Sequence, residues 1–212
     1  MILWYNPLMT AGKEEKMLFK KGIVLLFLCA LSVLFASCGP SNTAEHQTAA
    51  YTVTDIEGTA VDFPAPPKRI VTLSMSTDEV MLGLVEPERI AAVNTLLDDP
   101  VSSNVTGLVK EIPQRIGNPA VEEIMALHPD LVVVPDWGDL TMVASLREAG
   151  LKVIVCKGAT NLAEIRETIQ LLAAAAGVPE RGEKLLSMMD GKLAEIQEKV
   201  AKIPQDERKR VV

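Results

Sequence analysis

The 212-residue sequence predicts an α/β fold: a parallel-sheet lobe flanked by helices, followed by a long connecting helix. Two observations carry this reading. Short aliphatic runs over 70–73, 90–93, 131–134 and 153–155 alternate with stretches of helical spacing. Aromatic residues are 4% of the chain while hydrophobic residues are 48%, the aliphatic bias of strands buried on both faces.

In chain order, Lys20 and Lys21 precede an apolar run over 22–36, then Ser37 and Cys38. A basic segment, an apolar segment and a small-residue zone make a secretory signal. The run of about 15 residues falls short of the ~20 that a membrane-spanning helix needs. Leu34-Phe35-Ala36-Ser37-Cys38 resembles the lipobox of bacterial lipoproteins, with Phe35 in place of the usual Leu. That resemblance implies cleavage before Cys38 and a diacylglycerol on its thiol, a firm anchor at ~0.8 kcal/mol per buried CH₂. Met17 opens a signal of normal length by itself, so the expected start is Met17 and residues 1–37 are leader. Residues 38–50, the lipidated Cys and a small polar stretch, read as a flexible tether.

Residues 51–55 alternate, turn at Glu57-Gly58 and continue over 59–63, a hairpin pattern. After Pro64, Pro66 and Pro67 comes the strand over 70–73. A helix over 79–85 takes Thr77 or Asp78 as N-cap. A strand over 90–93, a helix over 120–127 and a buried strand over 131–134 follow. The helices over 140–149 and 162–176 end at Gly150 and Gly177, both suited to the position after a helix. Pro179 opens a helix to about residue 203, roughly 37 Å at 1.5 Å per residue, and Pro204 stops it. Lys209-Arg210-Val211-Val212 has the pattern of a strand beginning. The expected organisation is a lobe over 51–178, an inter-lobe helix over 179–204, and the start of a missing second lobe over 205–212.

Charge and cysteine use exclude several functions. The chain carries a net −7; without residues 1–37, 17 basic side chains face 26 acidic ones. No basic stripe exists for nucleic acid. Cys29 leaves with the leader and Cys38 is acylated, so Cys156, in an apolar strand pattern, can form neither a disulfide nor a cysteine metal site. Two histidines, His46 and His128, cannot supply a zinc or manganese centre. Hence no metal site and no cofactor are expected. The turn Ser74-Met75-Ser76-Thr77-Asp78 lacks both glycine-rich phosphate patterns, and no nucleophile–base order stands out. The chain therefore reads as a binding protein and not an enzyme; a nucleotide-binding α/β enzyme lobe is the competing class.

Four stretches then come in a telling order. They are Arg69-Ile70-Val71-Thr72-Leu73-Ser74 with Thr77-Asp78-Glu79; Glu88-Arg89-Ile90-Ala91-Ala92-Val93; Ile116-Gly117-Asn118-Pro119; and Val121-Glu122-Glu123-Ile124-Met125-Ala126-Leu127-His128-Pro129-Asp130-Leu131-Val132. Over 51–212 the chain resembles the iron-siderophore, heme and vitamin B12 binding proteins of ABC importers. The resemblance implies a class III periplasmic-binding-protein-like fold, here truncated: two lobes joined by a stiff helix, with ligand in the cleft. It also implies an extracytoplasmic monomer, anchored to the cell membrane in the periplasm or at the cell surface, that hands a small-molecule metal chelate to an ABC permease and its ATPase. A ferric siderophore ranks first as ligand, then cobalamin or another corrinoid, then heme. Leu96 and Leu97 stand where cobalamin-binding relatives tend to carry aromatics.

Open α/β sheets bind ligands outside the carboxyl ends of their strands. The expected ligand-facing residues are Ser74, Met75 and Ser76 after the first sheet strand, Asn94, Thr95 and Leu96 after the second, and Asp136, Trp137 and Gly138 after the third. Trp137 sits in a loop where a polar residue is the ordinary choice, and its indole suits stacking on a ring. The resemblance assigns Glu122 to docking against permease arginines by bidentate pairing, with Glu123 competing for that role.

Overall fold

The computed structural model describes residues 50–208. The Met17 start, the leader, Cys38, the tether up to residue 49 and the expected strand at 209–212 lie outside the described residues.

Strands β1 (Tyr51–Thr54) and β2 (Ala60–Phe63) pair antiparallel from Tyr51↔Phe63 to Thr54↔Ala60, the hairpin that the alternation predicts. The buried Asp55 carboxylate closes the turn by accepting N–H bonds from Glu57 (3.0 Å) and Thr59 (2.9 Å). It also accepts the Val155 N–H at 3.2 Å and pairs with Arg147 at 2.6 Å. These bonds lay the hairpin turn along the outer strand of the main sheet, where unpaired backbone groups would otherwise meet solvent.

That sheet contains β3 (Ile70–Thr72), β4 (Ile90–Asn94), β5 (Gln114–Ile116), β6 (Leu131–Pro135) and β7 (Val153–Cys156). All pairings are parallel, in the order β5-β4-β3-β6-β7. The helices are α1 (Met75–Leu84), α2 (Val121–Ala126), α3 (Leu140–Glu148), α4 (Leu162–Ala175) and α5 (Pro179–Ala201). The two predicted stop glycines sit at φ 83° (Gly150) and 70° (Gly177), a conformation that costs glycine little.

Two cores sandwich the sheet. On one face Phe63, Met81, Leu84 and Leu172 pack on Ile70, Val93, Val133 and Ile154. On the other, Ile124, Val143 and Leu146 cover Val132, Val134, Val153 and Val155. Right-handed crossovers explain the split. The chain passes from β3 to β4 beneath α1 on the first face, then returns through α2 on the second face to β6 and through α3 to β7. Neighbouring strands β3 and β6 thus send their helices to opposite faces, which makes their carboxyl ends the switch point of the sheet.

Two expectations need correction. The first helix does not begin at residue 79 with Thr77 or Asp78 as cap. It begins at Met75, and Ser74 is the cap, its hydroxyl accepting the Thr77 N–H at 3.3 Å. Thr77 and Asp78 are inside the helix and buried. Ser and Asp cap about equally well, so the sequence alone does not choose between them. β5 was not anticipated: Gln114-Arg115-Ile116 is a three-residue edge strand without an aliphatic run.

Helix α5 divides in two. Leu185 and Leu186 pack on the lobe, and Arg181 donates to the Leu84 carbonyl at 3.0 Å. An Arg166–Asp190 pair ties it to the start of α4. Beyond that pair Ile196 and Val200 are exposed, as is Ile203 just past the helix.

Candidate ligand-binding edge

The nine expected ligand residues sit at the carboxyl ends of three adjacent strands, β4, β3 and β6. Ser74 is buried and committed to its helix, its Oγ 2.8 Å from Thr77 Oγ1 and 3.2 Å from Ser76 Oγ. Met75 is half-buried and Ser76 exposed. Asn94 Oδ1 accepts the Leu96 N–H at 2.9 Å, capping a short 3-10 turn, Thr95–Asp98. Thr95 and Leu96 face solvent while Leu97 is in the core.

Asp78 joins two of these loops. Its carboxylate accepts the Asn94 N–H at 2.8 Å and the Thr72 hydroxyl. Burial pushes its pKa up to about 7, against the pull of the Thr72 and Asn94 bonds. Sequence reasoning took Asp78 for a cap and missed this role. An acidic residue after an apolar strand reads the same whether it points outward or inward.

The β6 end is built differently. Asp136 accepts the Gly158 N–H at 2.9 Å and pairs with Lys157 at 3.0 Å; the Gly158 bond first, then Lys157, holds its carboxyl below the usual range. Trp137 is 65% exposed. Its indole edge lies against Gly158, where a Cβ would come 2.2 Å from Cδ1 and 2.5 Å from Nε1. Gly138 is packed against the Pro135 carbonyl, 3.0 Å from where a Cβ would stand. Lys157 and Gly158 follow β7, a fourth strand end. The carboxyl-end rule applied to β7 would have found them.

Glu122 is exposed in the first turn of α2 and makes no ion pair or hydrogen bond among the described residues. Glu123 instead accepts the Ala120 N–H at 2.9 Å at its own helix end. A cavity of about 470 Å³ is lined by residues 114–119 with Glu123, Ala126 and Leu127, and one of about 280 Å³ lies toward Arg69, Pro87 and Glu111. Neither contains any of the nine residues. Among the described residues no group of His, Cys, Asp and Glu could hold a metal. Cys156 is buried, and burial pushes its thiol up to about 12. No described helix is long and apolar enough to cross a membrane.

A doubly covered parallel sheet, with loops of mixed character at its switch point, defines a doubly wound α/β lobe. The periplasmic binding protein family model matches residues 70–212, and the chain belongs to that family. It is 27% identical to the uncharacterized ABC transporter substrate-binding lipoprotein YvrC of Bacillus subtilis, covering 91% of this chain and 63% of that protein. It is 26% identical to a cobalamin-binding protein of Halobacterium salinarum, covering 79% of this chain and 49% of that one. A periplasmic solute binding protein of Veillonella parvula superposes with a TM-score of 0.59 at 22% identity, over 74% of this chain and 50% of the other. The chain thus spans about half to under two thirds of the length of these proteins.

Proposed function

We propose that the chain is the extracytoplasmic substrate-binding subunit of an ABC importer. It captures a ferric-siderophore-type chelate and delivers it to the permease. The observation that carries the reading is the open edge at the β3/β6 switch point, in a member of this family: Ser76, Thr95, Leu96 and Trp137 all stand exposed there. Cobalamin, another corrinoid or heme is the alternative cargo. A nucleotide-binding enzyme is disfavoured because the turn Ser74–Asp78 carries neither glycine-rich phosphate pattern and the Ser74 hydroxyl already accepts the Thr77 N–H at the start of α1.

Helix α5 supports a second lobe. The Arg166–Asp190 pair marks where α5 runs level with the start of α4, at the carboxyl edge. The helix continues beyond that edge with Ile196 and Val200 uncovered, so a lobe packed on this stretch would face the candidate residues across a cleft. Glu122 is the docking carboxylate toward permease arginines, and acylated Cys38 is the membrane anchor.

The test is uptake of radioiron chelates by cells with and without the gene, together with palmitate labelling. Loss of uptake on deletion, and loss of label with Cys38→Ala, are expected. Unchanged uptake in the deletion strain, or a cytosolic unlabelled product, would refute the reading.

A further inference from the structure

The carboxyl edge says something about ligand charge. Two cations stand in the strands and loops there, and both are occupied. Arg115 gives all five N–H groups to protein: Nε and Nη2 to Asp98 at 2.7 and 2.9 Å, and the rest to the carbonyls of Ile112, Gln114 and Val109. Lys157 is paired with Asp136. Asp99 and Asp139, both with lowered pKa values, take only backbone and hydroxyl donors and remain uncompensated by any cation. Lys110 lies toward the other end of the sheet, in the 3-10 turn that packs on Pro87–Arg89. On the part of α5 beyond the edge, Lys192 and Lys202 are paired with Glu195 and Glu198; Lys199 is in its last turn. The field over the edge is therefore negative, and an anionic ligand finds no vacant guanidinium or ammonium in these loops.

What the edge does offer is flat and neutral. Trp137 cannot fold down onto the loop after β7 any further, because Gly158 already fills that contact. The loop that carries it is tied to the loop after β7, because Asp136 accepts the Gly158 N–H at 2.9 Å. Most of the indole is left to solvent, with Ser76 and Thr95 exposed in the loops after the neighbouring strands. A preorganised aromatic platform loses little entropy when a ring or chelate face lands on it.

We infer that this lobe selects uncharged, flat-faced ligands over polyanionic ones, with Trp137 as the contact and Gly158 as the residue that positions it. The inference rests on the importer reading above and narrows its cargo. An uncharged ferric trihydroxamate or an uncharged corrinoid fits; a ferric tricatecholate, carrying three negative charges, does not.

The experiment uses the full chain with Trp4→Phe, so that Trp137 is the single indole. It is titrated to the solubility limit with a ferric trihydroxamate, dicyanocobinamide and a ferric tricatecholate, reading emission and equilibrium dialysis. The expected result is binding of at least one uncharged probe with quenched emission, and tricatecholate at least ten-fold weaker. Gly158→Ala should weaken binding by five-fold or more and shift the emission of the free chain. Should that variant not fold, Trp137→Leu read by dialysis takes its place. Tricatecholate binding as tight as the uncharged probes, or uncharged binding with unchanged emission, overturns this inference and leaves the importer reading standing. Binding of none of the three also overturns this inference, while the importer reading stands or falls on the uptake experiment above.

Discussion

Two aspartates hold the two halves of the same edge, and they do so by opposite physics. Asp78 is fully buried and clamps the β4 loop to β3; desolvation raises its pKa to about 7. Asp136 lies near the surface and clamps the β7 loop to β6; hydrogen bonding and Lys157 lower its pKa. The same carboxylate chemistry thus yields a brace that takes up a proton readily on one side and one that holds its charge further into acid on the other. The difference is solvent: a buried charge loses hydration that two hydrogen bonds only partly replace, whereas a surface charge keeps most of it.

The largest way to break this comparison is to remove the buried brace. Asp78→Ala leaves the Asn94 N–H and the Thr72 hydroxyl without their partner and opens a void, and is expected to cost about 2–4 kcal/mol in urea unfolding. Asp78→Asn keeps the shape and is expected to cost less, about 1–2 kcal/mol.

The next sharpens the contrast through pH. Asp78 ionises near its ordinary value when unfolded but near 7 when folded, so between those values the native state binds the extra proton. Its contribution to stability is therefore present at acid pH, falls as pH rises from about 4 to about 7, and is flat above. Asp136 has the opposite sign: its contribution is present above its unfolded pKa and lost as pH falls through the lowered folded value. Subtracting the urea midpoints of Asp78→Asn from those of the wild type between pH 5 and 8 should give a difference that declines with pH. Asp136→Asn should give a flat difference over that range. A flat difference for Asp78→Asn would remove the contrast.

The smallest expected effect is local. Gly158→Ala pushes the Trp137 ring aside at an exposed loop, so global stability should change by less than about 1 kcal/mol. Acrylamide quenching of Trp137 should nonetheless rise, because the indole loses the contact that covers its edge. A large drop in stability with unaltered quenching would show that Gly158 serves the loop backbone and not the indole.

How much of this was legible in the sequence follows from where burial is two-sided. β6 and β7 are buried at every position, so aliphatic composition alone marks them. β5 escaped notice because an edge strand of three residues, with a partnered Arg at its centre, carries no such signature. Helix ends at Gly150 and Gly177 were readable because few other residues tolerate that backbone. The start of α1 was not, because three cap-competent residues, Ser74, Thr77 and Asp78, lie within one turn. The candidate residues were placed by topology, a rule about strand ends. What topology does not convey is which side chains spend themselves on neighbours: Ser74 and Asp136 are committed to local bonds, while Ser76, Leu96 and Trp137 stay exposed. Gly158 was invisible because its importance is a clash that exists only once the β6 and β7 loops are side by side.

The central claim is that the β3/β6 switch-point edge receives ligand. Hydrogen exchange on the full chain, with and without a saturating ferric trihydroxamate, tests it most directly. The account predicts protection concentrated over residues 74–76, 94–96 and 136–138, with 157–158 following through the Asp136 tie. Protection confined to residues 114–127, around the cavity beside α2, would contradict it.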